Sequence, residues 1–436
     1  MSEGRRFGPQ GSENLGIKIL EEKKLETFTD GDIVSPKLYS DEVRLHKMFA
    51  HLRAHEPIRW TEPAGYRPFW AISRQRDILE IETASDIFLA GQRNRLFTKE
   101  EEQRIRERYG ARPILPSLPT LDAPDHRKYR GIFQEWFAPG NLKKLEERVG
   151  QIVDERLAHA KRLGGTVDFV DDVSLWVPLQ TIMMIFGVPF EDGERLHRLS
   201  GQLFNPFDPD KARKTDGQGP VEAAQELLDY FKVHIDSRRE NPQDDLLSII
   251  AHAKIDGQPI NEREALSNAV TVFVAGHDTT SSTISGALNA LIEHPECFEA
   301  LRAGTADVAQ AVEEMLRYVS PVRNFMRVAS RDYEIGGKTI RDGDAVLLMY
   351  PSGNRDESVY EEPNRFRLDR GRFTHVAFGC GPHMCLGQML ARLELRAFYT
   401  RFFQQVRSAT LIEPTSWLQT NFLGGPKKML VKLQFC

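Results

Sequence analysis

Three features of the sequence predict a mainly α protein, a large helical body with a smaller β-rich part. Helical periodicity dominates residues 41–316, and one stretch at 261–294 runs about 33 residues without interruption. After Arg317 the pattern changes to short alternating segments bounded by glycine turns.

Each element has its punctuation. Pro139-Gly140 separates a helix at 128–137 from one at 142–163, since proline cannot continue a helix and glycine readily ends one. A polar break at 215–220, with Gly217 and Gly219, precedes a helix at 221–239. The long helix opens at Asn261, with Glu264 three residues on as a capping box, and ends at His294 before Pro295. At about 1.5 Å per residue it is roughly 50 Å long, enough to cross the molecule. Strands are expected at 325–329, 333–335 and 345–349, with Gly336-Gly337 and Asp342-Gly343 as turns. No boundary separates independently folding parts. Residues 1–436 therefore read as a single domain with a polar N-terminal extension over about 1–35.

Composition excludes several classes. The 58 Lys and Arg against 63 Asp and Glu give a net charge of −5, with no basic footprint for nucleic acid. The longest apolar stretch, 269–275 broken by Thr271, falls far short of the roughly 20 residues that span a bilayer. Residues 1–32 carry no apolar run that could act as a signal or anchor, so no membrane association is expected. Cys297, Cys380, Cys385 and Cys436 make no disulfide framework in a chain this long, which points to the reducing cytoplasm.

The chemistry concentrates in Ala377-Phe378-Gly379-Cys380-Gly381-Pro382-His383-Met384-Cys385-Leu386-Gly387-Gln388, where a cysteine ends a glycine-rich loop at the start of a helix. A free cysteine has a pKa of about 8.5, and a helix N-terminus or a bound metal lowers it, so Cys385 is placed to be an iron-binding thiolate. Gly379, Gly381 and Gly387 would let backbone approach a flat cofactor. A zinc site on Cys380, His383 and Cys385 would need a fourth ligand, and none stands nearby. Covalent c-type haem is excluded by order, because His383 precedes Cys385.

A second motif, Val274-Ala275-Gly276-His277-Asp278-Thr279-Thr280, sits inside the long helix, where Gly276 costs about 1 kcal/mol relative to alanine. A third, Glu314-Met315-Leu316-Arg317, places opposite charges three residues apart on one helical face. Together with the cysteine loop, in which Phe378 lies seven positions before Cys385, these motifs resemble the cytochrome P450 monooxygenases over most of the chain. The second half is similar to the bacterial α-terpineol monooxygenase branch. That likeness rests on 275–282, on Pro321-Val322-Arg323-Asn324-Phe325-Met326-Arg327, on Tyr350-Pro351-Ser352-Gly353-Asn354-Arg355-Asp356 and on Thr420-Asn421-Phe422-Leu423-Gly424-Gly425-Pro426.

The resemblance implies haem b as cofactor, Cys385 as its axial iron ligand, and Phe378 beside the thiolate. It implies that Ala275 and Gly276 leave room over the distal haem face for O2 and substrate. Thr279 would hold a proton-delivering water, with Asp278 relaying protons from solvent. His126, Arg130, Arg327 and His383 match propionate contacts, and Arg370 would join Glu314 and Arg317 in a buried structural triad. By position, Thr271, Ala275, Val322, Phe422 and Leu423 would touch substrate, with 97–119 as a lid. Such an apolar lining suits a small cyclic substrate, a monoterpenoid or an aromatic hydrocarbon, hydroxylated with O2 and NAD(P)H electrons.

No flavin or nucleotide fingerprint and no iron–sulfur cysteine cluster is present, so a separate ferredoxin and its reductase are implied. Arg127, Lys128, Lys143 and Lys144 are the candidate docking cations for an acidic ferredoxin. Two other readings keep the haem-thiolate: a peroxide-using enzyme, against which the Asp278/Thr279 pair argues, and a non-catalytic haem sensor or carrier.

Overall fold

The long helix organises the molecule because it is apolar at successive i, i+3 and i+4 positions along two separate stretches. Ala269, Val270, Phe273 and Val274 enter one core, and Ile284, Ala287, Leu288 and Leu291 enter another. The protein is described here as a computed structural model covering residues 27–110, 115–213 and 219–436. In it the helix runs Glu262–Glu293, 32 residues, capped at Asn261 and followed at once by the helix Pro295–Arg302.

The first core gathers the helices Trp176–Phe186, Gly193–Phe204 and Gly219–Glu240 around the leading half of the long helix. Phe273 is fully buried there, its ring 5.5 Å from Phe186 and 5.3 Å from Phe231. Burying such a side chain contributes about 1.5–3 kcal/mol. The second core packs Glu146–Arg162, Val308–Val319 and Gln388–Gln405 against the trailing half.

The β part is built around a five-stranded sheet in the order Ile58–Thr61, Phe69–Ile72, Ala345–Met349, Asn324–Ala329, Phe88–Leu89. Only the pairing of Ala345–Met349 with Phe69–Ile72 is parallel; the other three are antiparallel. Val346 and Leu348 face one core cluster, and Ala345, Leu347 and Met349 the other, as the period of two requires. A second sheet pairs Val406–Leu411, Leu430–Phe435 and Thr166–Asp168.

Several expectations hold closely. The helices fall at Asp125–Gln134, Glu146–Arg162 and Gly219–Glu240, and the strands at Asn324–Ala329, Tyr333–Ile335 and Ala345–Met349. Others are corrected. Residues 41–316 are not purely helical, since four strands of the two sheets arise there as segments of two to four residues. Asn261 caps the long helix by accepting from Arg263 N–H, and no box with Glu264 forms, because the Glu264 carboxylate accepts the Tyr129 hydroxyl at 2.6 Å. The N-terminal extension does not reach residue 35. Short helices at Asp30–Val34 and Pro36–Tyr39 bury Ile33, Val34, Leu38 and Tyr39 under the sheet. Residues 1–26, 111–114 of the expected lid and 214–218 of the polar break lie outside the described residues. No described helix is long and apolar enough to cross a membrane.

Candidate active site

The cysteine loop and the long helix face each other across one enclosed cavity. Its walls include Ala377, Phe378, Gly379, His383, Cys385 and Gly387 on one side, and Thr271, Ala275, Gly276, Thr279 and Thr280 on the other. The loop is folded by its own backbone: Cys385 N–H donates to Phe378 O at 2.9 Å, and Met384 N–H to Gly381 O at 3.1 Å. Cys385 is half-buried, opening onto the cavity. Burial pushes its thiol up from the ordinary range, against the pull of Gly387 N–H, Arg130 and Arg392. A bound metal would favour the deprotonated sulfur over this desolvation.

The glycines are explained differently from the sequence reading. Gly379 and Gly381 lie at φ +64° and +65°, and a Cβ on Gly381 would come 2.7 Å from Glu82 O. They are required where the loop crosses the helix Gln75–Thr83. Gly387, by contrast, has nothing within 4 Å of a Cβ position. Gly276 lines the cavity with its backbone, but a Cβ there would sit 2.9 Å from Ile182 Cδ1 and 3.0 Å from Cγ1. The residue allows the long helix to approach Trp176–Phe186, so close helix packing by itself already calls for glycine here.

Two guanidinium groups and two imidazoles converge at one end. Arg327, buried at 4% exposure, comes from the strand Asn324–Ala329, and His126 and Arg130 lie one turn apart on Asp125–Gln134. His383 follows in the cysteine loop, its ring centroid 4.2 Å from that of His126. Burial, then Arg327, His126 and Arg130, holds His383 down to about 3. Burial and Arg130 also lower His126, whose Nε2 is buried without a hydrogen-bond partner. Glu82 shares this end: Tyr350 Oη donates to its Oε1 at 2.7 Å, Cys380 N–H to its Oε2 at 2.8 Å, and Arg327 Nη2 lies 3.5 Å from Oε1. Two guanidinium groups beside an orphaned imidazole nitrogen call for anionic or hydrogen-bonding partners, and two carboxylates of a haem fit that need. The residues present therefore suit a haem whose iron would meet the Cys385 sulfur.

Above the cavity Thr279 donates to Ala275 O at 3.1 Å and Thr283 to Thr279 O at 2.8 Å, the back-bonding that loosens a helical ladder. Asp278 does not line the cavity with its neighbour. Its carboxylate turns toward the helix Gly193–Phe204, with Oδ1 3.3 Å from His277 Nε2 and 3.7 Å from His197 Nδ1. Burial holds His197 down to about 4.

Of the expected substrate positions, Thr271, Ala275 and Val322 line the cavity, and Thr271 Oγ1 donates to Ser117 Oγ at 2.8 Å. Phe422 and Leu423 do not line it. Phe422 stands behind the lining residue Phe325, ring centroids 5.5 Å apart, and Leu423 is bridged to Val322. From the expected lid, Leu118 and Pro119 reach the cavity.

Away from the cavity mouth, the triad is assembled. Arg317 pairs with Glu314 through Nε–Oε2 and Nη2–Oε1 contacts of 2.7 Å each, and Arg370 Nε donates to both Glu314 oxygens at 3.1 Å. Sequence reading missed Glu82, which no local pattern marks, and Glu394. The latter was findable: Leu390, Ala391, Glu394 and Leu395 share the cavity side of Gln388–Gln405 at helical spacing, a single carboxylate on an apolar stripe. Both its oxygens are buried without partners, and burial pushes its carboxyl up to about 8 against the weaker pull of Thr181 and Thr280.

Known proteins share this arrangement. The profile of the Cytochrome P450 family matches residues 112–432. Cytochrome P450-terp of a Pseudomonas species is 33% identical over 410 residues, covering 92% of this chain and 96% of the relative. Linalool 8-monooxygenase of Pseudomonas putida is 32% identical over 405 residues, covering 92% and 98%. Among solved structures, CYP108D1 from Novosphingobium aromaticivorans superposes with a TM-score of 0.86 at 31% identity, covering 93% of this chain and 98% of that one. Mycobacterium marinum CYP268A2 in complex with pseudoionone gives 0.84 at 29% identity, covering 94% and 100%.

Proposed function

The chain belongs to the cytochrome P450 family and is a monooxygenase with haem b as cofactor, and from that premise we propose that it hydroxylates a small apolar cyclic substrate using ferredoxin-delivered NAD(P)H electrons. Bound haem supplies the iron at which O2 is activated so that one oxygen atom enters a C–H bond.

The protein's part is to hold, orient and protonate. Cys385 would hold the iron through its sulfur, with Phe378 and Gly387 lining the cavity beside it. His126, Arg130, Arg327 and His383 would hold the propionates; each lines the same end of the cavity. Ala275 and the backbone of Gly276 form the opposing wall. Thr279, its hydroxyl on Ala275 O, holds the last water in the proton path, and Asp278 passes protons inward from the side of Gly193–Phe204. Thr271 and Val322 contact substrate, and the 97–119 segment closes over it through Leu118 and Pro119.

The observation that carries the substrate class is the lining beyond the haem contacts: Leu118, Pro119, Val272, Ala275, Val322 and Phe325 are apolar, with the Thr271 hydroxyl already committed to Ser117. A compact hydrocarbon held by burial, at roughly 25 cal/mol per Å² of apolar surface, suits such walls. Relatives of about one-third identity include a linalool 8-monooxygenase, which favours a monoterpenoid over an aromatic hydrocarbon. Four unpaired cysteines suit a reducing cytoplasm.

The test is a haem absorbance titration of the ferric protein with α-terpineol and, separately, with a fused or linked aromatic hydrocarbon. A low-to-high-spin shift with one class identifies it. No shift with either rejects the substrate class and leaves the family standing.

A further inference from the structure

His197, His277 and Asp278 bring three potential ligand atoms within 4.8 Å of one another, between the helices Gly193–Phe204 and Glu262–Glu293. The arrangement is unusual in what it leaves unsatisfied. His277 Nε2, His197 Nδ1 and Asp278 Oδ2 are all buried with no hydrogen-bond partner, and His277 as a residue is completely buried.

The tautomer of His277 follows from its other nitrogen. Nδ1 lies 3.1 Å from Phe273 O, and a carbonyl can only accept, so Nδ1 carries the hydrogen. In the neutral ring Nε2 is then a lone pair, and it faces a second acceptor, Asp278 Oδ1, at 3.3 Å. Two acceptors in contact inside a protein need a positive centre between them. A metal-bound histidine whose second nitrogen donates to a backbone carbonyl is held in just this way.

We propose that His197 Nδ1, His277 Nε2 and Asp278 Oδ1 bind a divalent cation of the zinc type, which ties the Gly193–Phe204 helix to the long helix and leaves Asp278 Oδ2 for the proton path. Tetrahedral bonds of about 2.0–2.2 Å set ligand atoms roughly 3.4 Å apart, and the observed separations to Asp278 Oδ1 are 3.3 and 3.7 Å. Two imidazoles and one carboxylate, with water in the remaining position, form a donor set that suits zinc. One neighbour must yield. Lys211 Nζ lies 3.3 Å from His197 Nε2, and a cation on Nδ1 puts the ring hydrogen on Nε2, so the half-buried Lys211 side chain swings outward.

The experiment titrates the haem-loaded protein with zinc chloride by calorimetry and follows its thermal midpoint, alongside His197→Ala and Lys211→Ala. The expected result is one zinc per chain with a rise in midpoint, an affinity loss of at least tenfold in His197→Ala, and binding kept in Lys211→Ala. The absence of saturable binding, which would leave a shared proton as the bridge between His277 and Asp278, overturns the proposal. So does zinc binding of equal affinity in His197→Ala, which would place the metal elsewhere, such as on a cysteine.

Discussion

Arg317 and Glu314 form a two-pronged ion pair with 2.7 Å contacts, at 0% and 1% exposure. The guanidinium also donates to Asn354 O at 2.7 Å and Pro363 O at 2.9 Å, and Glu314 accepts from Arg367 N–H at 2.9 Å and from Arg370. The pair therefore ties Val308–Val319 to the chain that leads into the cysteine loop. Glu314→Ala would strand two buried guanidinium groups, at a cost of roughly 3–5 kcal/mol. The purified variant is expected to show little haem absorbance per protein and a lowered thermal midpoint. Normal haem loading would disprove the coupling between triad and loop.

Gly276 and Ile182 make a second pair whose effect has a readable sign. A Cβ at 276 lies 2.9 Å from Ile182 Cδ1, so Gly276→Ala overpacks the contact between the two helices, costing roughly 1–3 kcal/mol. Helix propensity returns about 1 kcal/mol. The single variant is expected to be destabilised. In an Ile182→Ala background, which removes both Cδ1 and Cγ1, Gly276→Ala should be neutral or stabilising. Thermal midpoints of the four proteins test this as a cycle, and additivity would mean that Ile182 is not what requires the glycine.

Legibility in the sequence followed the range of the interactions. The long helix, the Cys385 loop and the Glu314–Arg317 pair lie within single elements, where spacing alone sets geometry. The strands at Ile58–Thr61 and Phe69–Ile72 have four residues each, too few for alternation to outweigh their helical surroundings. Glu82 meets Cys380 and Arg327 across 298 and 245 residues, which only the folded chain joins. Phe422 was placed on the substrate by its position in the family resemblance, yet in the fold Phe325 stands between it and the cavity. Asp278 shows the subtler failure: the motif gives its position on the helix, but its direction toward His197 depends on where another helix packs.

The proposed docking of an acidic ferredoxin would rest on fewer cations than the sequence suggests. Lys128 Nζ lies 3.2 Å from Asp125 and 2.6 Å from Asp256, so its charge is already answered. Arg127, Lys143 and Lys144 are exposed, and Lys144 contacts only the neutral Asn141 amide. Reversing Lys143 and Lys144 to Glu should slow the first electron transfer from an acidic bacterial-type ferredoxin roughly tenfold at low salt, while Lys128→Glu does less. The difference should shrink as salt shortens the screening length to about 3 Å at 1 M. Stopped-flow reduction under carbon monoxide reads this without a substrate. Equal rates in all proteins at low salt would remove this face from consideration.

Glu394 makes stability depend on pH in a direction opposite to that of a salt-bridged acid. Its carboxyl is pushed up to about 8 by burial against the cavity wall, whereas a glutamate in the unfolded chain titrates near about 4.3. Between those values the folded protein keeps a proton that the unfolded chain has released, so stability falls as pH rises through the window and levels off above it. The full excursion is on the order of 5 kcal/mol. Glu394→Gln keeps the shape and removes the titration. Its thermal midpoint should therefore gain on that of the natural protein as pH is raised from about 5.5 to about 8, the window set by those two pKa values. Parallel midpoints across that range would show that Glu394 finds a partner in the folded protein and is charged at neutral pH. A widening gap would establish a neutral acid at the cavity wall, able to donate a hydrogen bond in a cavity whose facing side includes the hydroxyls of Thr279 and Thr280.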